Sequence, residues 1–492
     1  MITRSSGILM HITSLPSPYG IGTFGSEAYE FVDFLAKAGQ KYWQILPIGP
    51  TGAGDSPYQS FSTFAGNPYF IDFDLLTDEG LLKKEDYKNV DFGDDSTKID
   101  YEKMFNNKMP ILRIAFQNRK GKCGDEIKKF GLENKDWLED YALYMAVKAK
   151  FDLKSWQEWD EDIKLRDKNA LESYKEKLKE EIDYWVFLQY LFFQQWANLK
   201  RYANTNGIKI IGDIPIYVAE DSADTWANSK VFLLNKDRKP IKVSGCPPDA
   251  FSATGQLWGN PIYDWDYLES TGYKWWIERI KVNINLYDVT RIDHFRGFES
   301  FWQIPYGDET AVNGQWVKGP GIKLFNVVKE ALGEVEIIAE DLGYLTEEVI
   351  NFRTYTGYPG MKVLEFAFDT REESDYLPHN YDKNCVVYTG THDNDTVMGW
   401  FNNTKKSDIN FAKRYLKLDK EEGYNWGFIR GALSSVGTLA VAQLQDYLGL
   451  LSEARMNIPS TLGGNWQWRV EKEDLTDKLA EKINKITKLY GR

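Results

Sequence analysis

The chain has 492 residues, 42% of them hydrophobic and 27% charged, with a formal net charge of −13 and a pI near 5.1. This length implies two to four domains, or one barrel of about 250 residues carrying large insertions. The acidic balance, with no basic cluster interleaved with aromatics, excludes nucleic acid and anionic membrane as main partners.

Three cysteines, Cys123, Cys246 and Cys385, are far apart and odd in number, which fits neither a disulfide framework nor a zinc-ligand spacing. The first residues, Met1 to Gly7, lack an apolar core of signal-peptide length, and no stretch approaches a membrane span, so a cytoplasmic location is expected. Aromatic residues reach 15%, with 17 Trp and 29 Tyr. Most belong in a core, although Trp and Tyr also suit surfaces that stack on sugar rings.

In chain order, Gly7–Ile12 reads as a strand that ends in a Pro-containing loop. A helix from about Ser26 follows, with Ala28, Phe31, Val32 and Leu35 at helical spacing and Gly39 as its cap. Tyr42–Ile48 reads as a second buried strand, so the chain opens with the unit of a parallel α/β sheet. The alternation then stops for about 150 residues. Residues 78–180 are charged and helical, with Trp137, Tyr141, Tyr144 and Met145 on one face. Tyr184 to Leu199 is apolar nearly all round and reads as a buried helix. Ile208–Ile216 resumes the strands, and residues 220–285 read as a second, irregular insertion. The remaining strand candidates are Val289–Ile292, Val335–Ala339, Met361–Phe366, Cys385–Thr389 and Leu439–Leu444. Eight β/α units are what a closed parallel barrel requires. The expected fold is therefore a (β/α)8 TIM barrel over 1–492, with large, mainly helical insertions after the second and third strands. A doubly wound open sheet is the alternative, but no Gly-x-Gly-x-x-Gly turn follows the first strand.

Several strands end in a carboxylate: Asp213 after Ile210-Ile211-Gly212, Asp293 after Thr290-Arg291-Ile292, Glu340 after Ile337-Ile338-Ala339, and Asp393 after Thr391-His392. In a barrel these ends face one pocket. Arg291, Asp293 and His294 together at one strand end read either as an active-site rim or as a structural salt-bridge knot. A metal-dependent hydrolase is conceivable, but the histidines sit beside aspartates in Asp293-His294 and His392-Asp393, not in a His-x-His or His-Glu-x-x-His pattern. Glycosyl transfer fits better: it needs a carboxylate nucleophile and a protonated carboxylic acid, with further acids to hold hydroxyls. Arg291 supplies a counter-charge close to Asp293.

The combination of Gly212-Asp213-Ile214-Pro215, Arg291-Ile292-Asp293-His294-Phe295, Ala339-Glu340-Asp341-Leu342-Gly343 and Gly390-Thr391-His392-Asp393-Asn394-Asp395-Thr396 resembles the 4-α-glucanotransferases. These are the amylomaltases or disproportionating enzymes, glycoside hydrolase family 77 of the α-amylase clan. Asp55-Ser56-Pro57-Tyr58-Gln59, Pro247-Pro248-Asp249-Ala250-Phe251-Ser252 through Gln256-Leu257-Trp258-Gly259, Arg455-Met456-Asn457 and Gly464-Asn465-Trp466 extend the resemblance along nearly the whole chain.

The resemblance implies that Asp293 is the nucleophile, Glu340 the general acid and base, and Asp393 the third acid that holds ring hydroxyls. It implies donor-sugar contacts from Arg291, His294, His392 and Asp213, stacking by Tyr58 with Ser56 nearby, acceptor-side contacts from Gln256 and Trp258, and a sugar contact from Asn465. Asn457 and Trp466 read as structural. Retention follows, with Asp293 and Glu340 about 5 to 5.5 Å apart, and a lid at 244–261 around Phe251 and Trp258 would exclude water. No cofactor and no metal are implied. The implied partners are α-1,4-glucans (maltose, malto-oligosaccharides, amylose), with glucose as acceptor, for a monomer or weak homodimer. The alternatives are an α-glucan hydrolase on the same site and a non-catalytic sugar-binding barrel. Two departures stand out. The residues after Arg469 are few and read as helical, which speaks against a C-terminal β-sandwich or starch-binding module. Ala53 stands where some members have an aromatic residue of an outer glucan groove.

Overall fold

The computed structural model describes residues 2–52, 54–249, 252–343, 345–371 and 373–492. Eight parallel strands form the central sheet: β1 (Ser5–Leu9), β2 (Tyr42–Gln44), β3 (Lys209–Pro215), β4 (Val289–Asp293), β5 (Ile337–Ala339), β6 (Gly360–Val363), β7 (Cys385–Tyr388) and β8 (Leu439–Gln443). Hydrogen-bonded neighbours run β6-β7-β8-β1-β2-β3-β4-β5, so the order is sequential and only β5 and β6 remain to meet. They do so where Ala339 N donates to Pro359 O at 2.9 Å and Met361 N donates to Asp341 Oδ1 at 2.8 Å. The sheet is thus a nearly closed (β/α)8 barrel, built from the strand candidates the apolar runs marked.

The strands are shorter than their apolar runs, and β2 shows why. Ile45 N still donates to Ile211 O, but Leu46 N donates to the His11 side chain at 3.2 Å and Pro47 has no N–H to offer. The ladder ends there. At β3, Gly212 is required because a Cβ would lie 2.1 Å from the Tyr287 ring.

The stretch after β2 is helical, with Met109–Asn118, Gly124–Glu133, Lys135–Lys150 and Lys168–Lys177 leading into the long helix Lys179–Thr205. That helix buries Tyr184, Phe187, Leu188, Leu191, Phe192 and Trp196. Its two buried glutamines hold the preceding loop: Gln189 bonds both N and O of Gly66, and Gln195 both N and O of Asp72. The loop that carries Tyr58 is therefore anchored on the insertion as well as on the barrel.

The stretch read as irregular between β3 and β4 contains two strands, Lys242–Cys246 and Gln256–Pro261. They join Ser300–Pro305 and Gln315–Lys318 in a four-stranded antiparallel sheet. Sequence pattern hides them because glycines interrupt both strands. At Gly245 a Cβ would lie 2.2 Å from Gln256 O, so the close strand approach demands glycine, and the pairing shifts register between Val243 and Gly245. The helix Asp477–Leu489 packs back on Ser26–Lys37, with Lys37 Nζ 2.6 Å from Asp477 Oδ1. Among the described residues, no helix is long and apolar enough to cross a membrane.

Candidate active site

Alternation along β4 sends Arg291 and Asp293 to the same side of the strand, while Ile292 points outward into the core under the helices. The register pairs Arg291 with Asp213 on β3, and in a parallel pair such partners share a face. The guanidinium uses both sides of this arrangement. Its Nη1 lies 2.6 Å from Asp213 Oδ2, its Nη2 3.0 Å from Asp293 Oδ1, and its Nε donates to Met361 Sδ at 3.4 Å. With all three nitrogens engaged by protein and the side chain only 4% exposed, Arg291 acts as a counter-ion bridging two carboxylates. Asp213 also accepts from the Tyr58 hydroxyl at 2.9 Å. Burial, and next the Arg291 charge in opposition, dominate its titration, and the net effect is a carboxyl raised above its ordinary range.

His294, directly after Asp293, is left-handed at φ 53. This uncommon conformation for a side-chain-bearing residue turns the chain out of β4 into the short helical turn Phe295–Phe298. The His294 amide donates to Glu340 Oε2 at 2.6 Å, and Leu342 N donates to Glu340 Oε1 at 2.7 Å. Glu340, just beyond β5, is fixed by two backbone donors, one of them from the strand-end turn that follows Asp293. Burial first, and then the nearby Asp293 charge, raise its pKa well above the usual glutamate range, against the pull of Arg291 and the two amides. The Asp293 side chain is 30% exposed, whereas Glu340 is buried. The two neighbouring carboxyls therefore sit in different environments, one partly open beside Arg291 and one buried.

Asp393 follows β7 and is the most open of the three, at 45% exposed, with His392 Nε2 3.4 Å from its Oδ1. Asn457 Nδ2 donates to the same oxygen at 2.7 Å, Arg455 Nη2 donates to Asp393 O at 2.5 Å, and Asn457 N donates to His392 O at 3.1 Å. Asn457, which reads as structural in sequence, thus holds a site carboxylate directly. The His392 ring stacks on Tyr58 at 5.1 Å and 17°, and Trp466 lies 5.9 Å from both rings. Tyr58 presents its hydroxyl to Asp213 and one face to His392, while Ser56 Oγ accepts from Tyr58 N at 3.3 Å and shapes that turn.

On the other side, Gln256 and Trp258 share a face of their strand, and Trp258 Nε1 donates to Gln256 Oε1 at 3.1 Å. The indole meets His294 edge-on at 4.8 Å. Burial lowers the His294 pKa to about 3, with Arg296 adding to the effect, so its ring is neutral. Asn465 accepts from Ile458 N at 3.0 Å and donates to Thr461 Oγ1 at 3.0 Å; both ends of its amide are engaged within its own loop. Phe251 and Ala53, on which the lid and outer-groove expectations rest, lie outside the described residues. A cavity of about 580 Å³ between Lys179–Thr205 and Lys274–Leu286 is lined by Trp196, Lys200 and Leu286 and by none of these site residues. Among the described residues, no three His, Cys, Asp or Glu side chains are placed to hold a metal ion.

Comparison with known proteins points the same way as the geometry. A family model described as 4-alpha-glucanotransferase matches residues 10–476. A 4-alpha-glucanotransferase of Clostridium butyricum is 60% identical over 485 residues, covering 98% of this chain and 100% of the relative. One of Streptococcus pneumoniae is 53% identical over 496 residues, covering 100% and 98%. Among solved structures, an amylomaltase from Streptococcus agalactiae in complex with acarbose has a TM-score of 0.97 at 46% identity, with 99% of each chain covered. An amylomaltase from Corynebacterium glutamicum, 18% identical with a TM-score of 0.80 over 98% of this chain and 75% of its own, shares the fold.

Proposed function

The chain belongs to the 4-alpha-glucanotransferase family and is a glycosyltransferase-type enzyme acting on α-1,4-glucans, and from that premise we propose how its residues divide the work. Asp293 attacks the anomeric carbon of the donor sugar while Glu340 gives its proton to the departing glycosidic oxygen. The bond to the leaving chain breaks as the bond to Asp293 forms. Glu340, now a carboxylate, takes the proton of an incoming 4-hydroxyl, and that oxygen displaces Asp293, so configuration is retained. The observation that carries this assignment is the contrast between the two acids: Glu340 buried and held up in pKa, Asp293 open and paired with Arg291 at 3.0 Å.

Asp393, oriented by Asn457, receives ring hydroxyls, and His392 flanks it. Among the described residues, Asp213 Oδ1 and His294 Nε2 are buried without a protein hydrogen bond, and a sugar hydroxyl supplies the complement each needs. Tyr58 and Ser56 shape the donor side. Trp258 and Gln256 border the acceptor side, where an indole against His294 limits water at the intermediate. Asn465 supports the rim by ordering residues 458–465 more than by direct contact. Malto-oligosaccharides and amylose serve as donors, with glucose among the acceptors, by a cytoplasmic protein that works as a monomer or weak dimer and draws on no cofactor.

The test is the product-length profile from pure maltotriose. Transfer yields longer and shorter oligomers, glucose included, at nearly constant reducing ends. A steady rise in reducing ends without longer products would overturn transfer in favour of hydrolysis. Unchanged turnover by Asp293→Asn would overturn the residue assignment.

A further inference from the structure

His11 takes no part in the chemistry described above, yet it is buried two residues beyond β1 with a defined hydrogen-bond polarity. Its Nδ1 accepts from Leu46 N at 3.2 Å, so in a neutral ring the proton resides on Nε2. Burial, and then the proximity of His392, lower its pKa to about 3, which keeps the ring neutral. Phe70 meets the ring edge-on at 5.7 Å and 80°, fixing its plane. His11 Nε2–H is therefore a donor of set direction, and among the described residues no protein acceptor takes it.

A small pocket of about 10 Å³ is lined by His11, Ser14, His392, Gln443 and Gln445 among its polar residues. Its volume is about the room one water needs, and its walls offer the two to four polar partners that hold a buried water. The Ser14 hydroxyl is engaged with Trp468 O at 2.8 Å, leaving the two imidazoles and the two glutamines as the water's neighbours. Beyond the pocket, His392 directs Nε2 toward Asp393 Oδ1 at 3.4 Å. The charged groups around His392 are Asp393, Arg291 and Asp293. A neutral His392 presents N–H to Asp393 only if its Nδ1 is the acceptor.

We propose that His11 is a positioning residue for the transfer reaction: through one water in this pocket, its Nε2–H fixes His392 in the tautomer that presents Nε2–H to Asp393 and the donor sugar. The polarity then runs one way, from Leu46 N–H through His11, the water and His392 to Asp393. The proposal rests on the placement of His392 beside the donor sugar given above.

Two substitutions separate this role from simple packing. In His11→Asn the amide oxygen replaces Nδ1 and keeps the Leu46 bond but loses the donor on the pocket side. In His11→Gln the amide nitrogen replaces Nε2 and keeps that donor. The expected result is a loss of about tenfold in kcat/KM on maltotriose for His11→Asn, the size of one lost positioning hydrogen bond, and at least partial recovery in His11→Gln. Equal activity in the two variants, or a better His11→Asn, would overturn the proposal.

The chain has four histidines, so ring nitrogen-15 spectra of the full-length enzyme report tautomers directly. Wild type must show His392 protonated on Nε2, and His11→Asn must show a mixture; a wild-type His392 protonated on Nδ1 sinks the proposal whatever the variants do. His392→Ala distinguishes the two failures. If that variant turns over maltotriose like wild type, the site reading fails and takes this one with it. If it is impaired while His11→Asn is not, only the role of His11 fails.

Discussion

The His294 amide donates to Glu340 Oε2 at 2.6 Å, so the residue that follows one strand-end carboxylate directly holds the carboxylate on the neighbouring strand. Asp293 and Glu340 are consequently not positioned independently: a shift at the end of β4 is transmitted to Glu340 through one short hydrogen bond.

The first expectation concerns pH. In the proposed mechanism Glu340 acts protonated, and burial and then Asp293 raise its pKa, so the acid form persists far above the ordinary carboxylate range. The alkaline fall in kcat/KM for maltotriose follows its loss of a proton. A glucosyl fluoride donor, whose leaving group needs no proton, should lack that limb in the glycosylation step. Glu340→Gln should cost about 10²- to 10⁴-fold with maltotriose, the range of general acid catalysis, and much less with the fluoride. Equal losses on the two donors would rule out the acid role.

Arg291→Lys tests the bridge between Asp213 and Asp293. A lysine presents a point charge and cannot span both carboxylates as the planar guanidinium does. Breaking a buried pair leaves a charge uncompensated, at about 3–5 kcal/mol. A lower melting temperature together with at least about a hundredfold loss in kcat/KM is expected. Native-like stability and rate in the lysine variant would show that the bridge is dispensable.

Asn457→Ala removes the 2.7 Å donor to Asp393 Oδ1. A fall of about tenfold in kcat/KM is expected with little change in melting temperature, because Asp393 is partly solvated and can rehydrate. Asn457→Asp should be worse, since it places a like charge against the carboxylate. Kinetics in which both variants match wild type would return Asn457 to a purely structural role.

The fourth expectation concerns stability. Burial, followed by the charges of Asp446 and Asp395, pushes the Glu365 carboxyl well above the ordinary carboxylate range, and burial pushes Asp446 up to about 7. For such raised groups the folded state binds protons more tightly than the unfolded chain. Their contribution is therefore complete below the unfolded pKa and is lost as pH rises through the folded one. The melting temperature should decline from weakly acid to alkaline pH, and Glu365→Gln, neutral at every pH, should flatten that decline. An unchanged slope in the variant would show that Glu365 is not the group titrating.

Much of the barrel is visible in the sequence because strands enclosed by helices are continuous apolar runs, and a carboxylate at the end of such a run stands out, as Asp213, Asp293 and Glu340 do. Other features depend on contacts that no local pattern carries. Lys242–Cys246 and Gln256–Pro261 hide as strands because Gly245 and Gly259 break their alternation. Asn457 lies 64 residues from the carboxylate it orients, and although Arg455-Met456-Asn457 is part of the family resemblance, no local pattern shows that its amide meets Asp393. Arg291 was visible as a site residue, but whether it grips sugar or bridges acids depended on the β3–β4 register, which places Asp213 opposite it. His11 gives still less signal, since a histidine at the end of an apolar run resembles any core histidine.

The four-stranded sheet has a consequence for altering chain-length preference. Two of its strands, Lys242–Cys246 and Gln256–Pro261, precede β4, and the other two, Ser300–Pro305 and Gln315–Lys318, follow it. The strand bearing Arg291 and Asp293 thus lies in sequence between the two halves of the sheet that carries Gln256 and Trp258, proposed above to border the acceptor side. An acceptor rim cannot be exchanged between relatives as a cassette loop. The smallest unit that carries the whole sheet runs from Lys242 to Lys318 and brings the strand of Arg291 and Asp293 with it, so transplanting the proposed acceptor rim from a relative also replaces that strand.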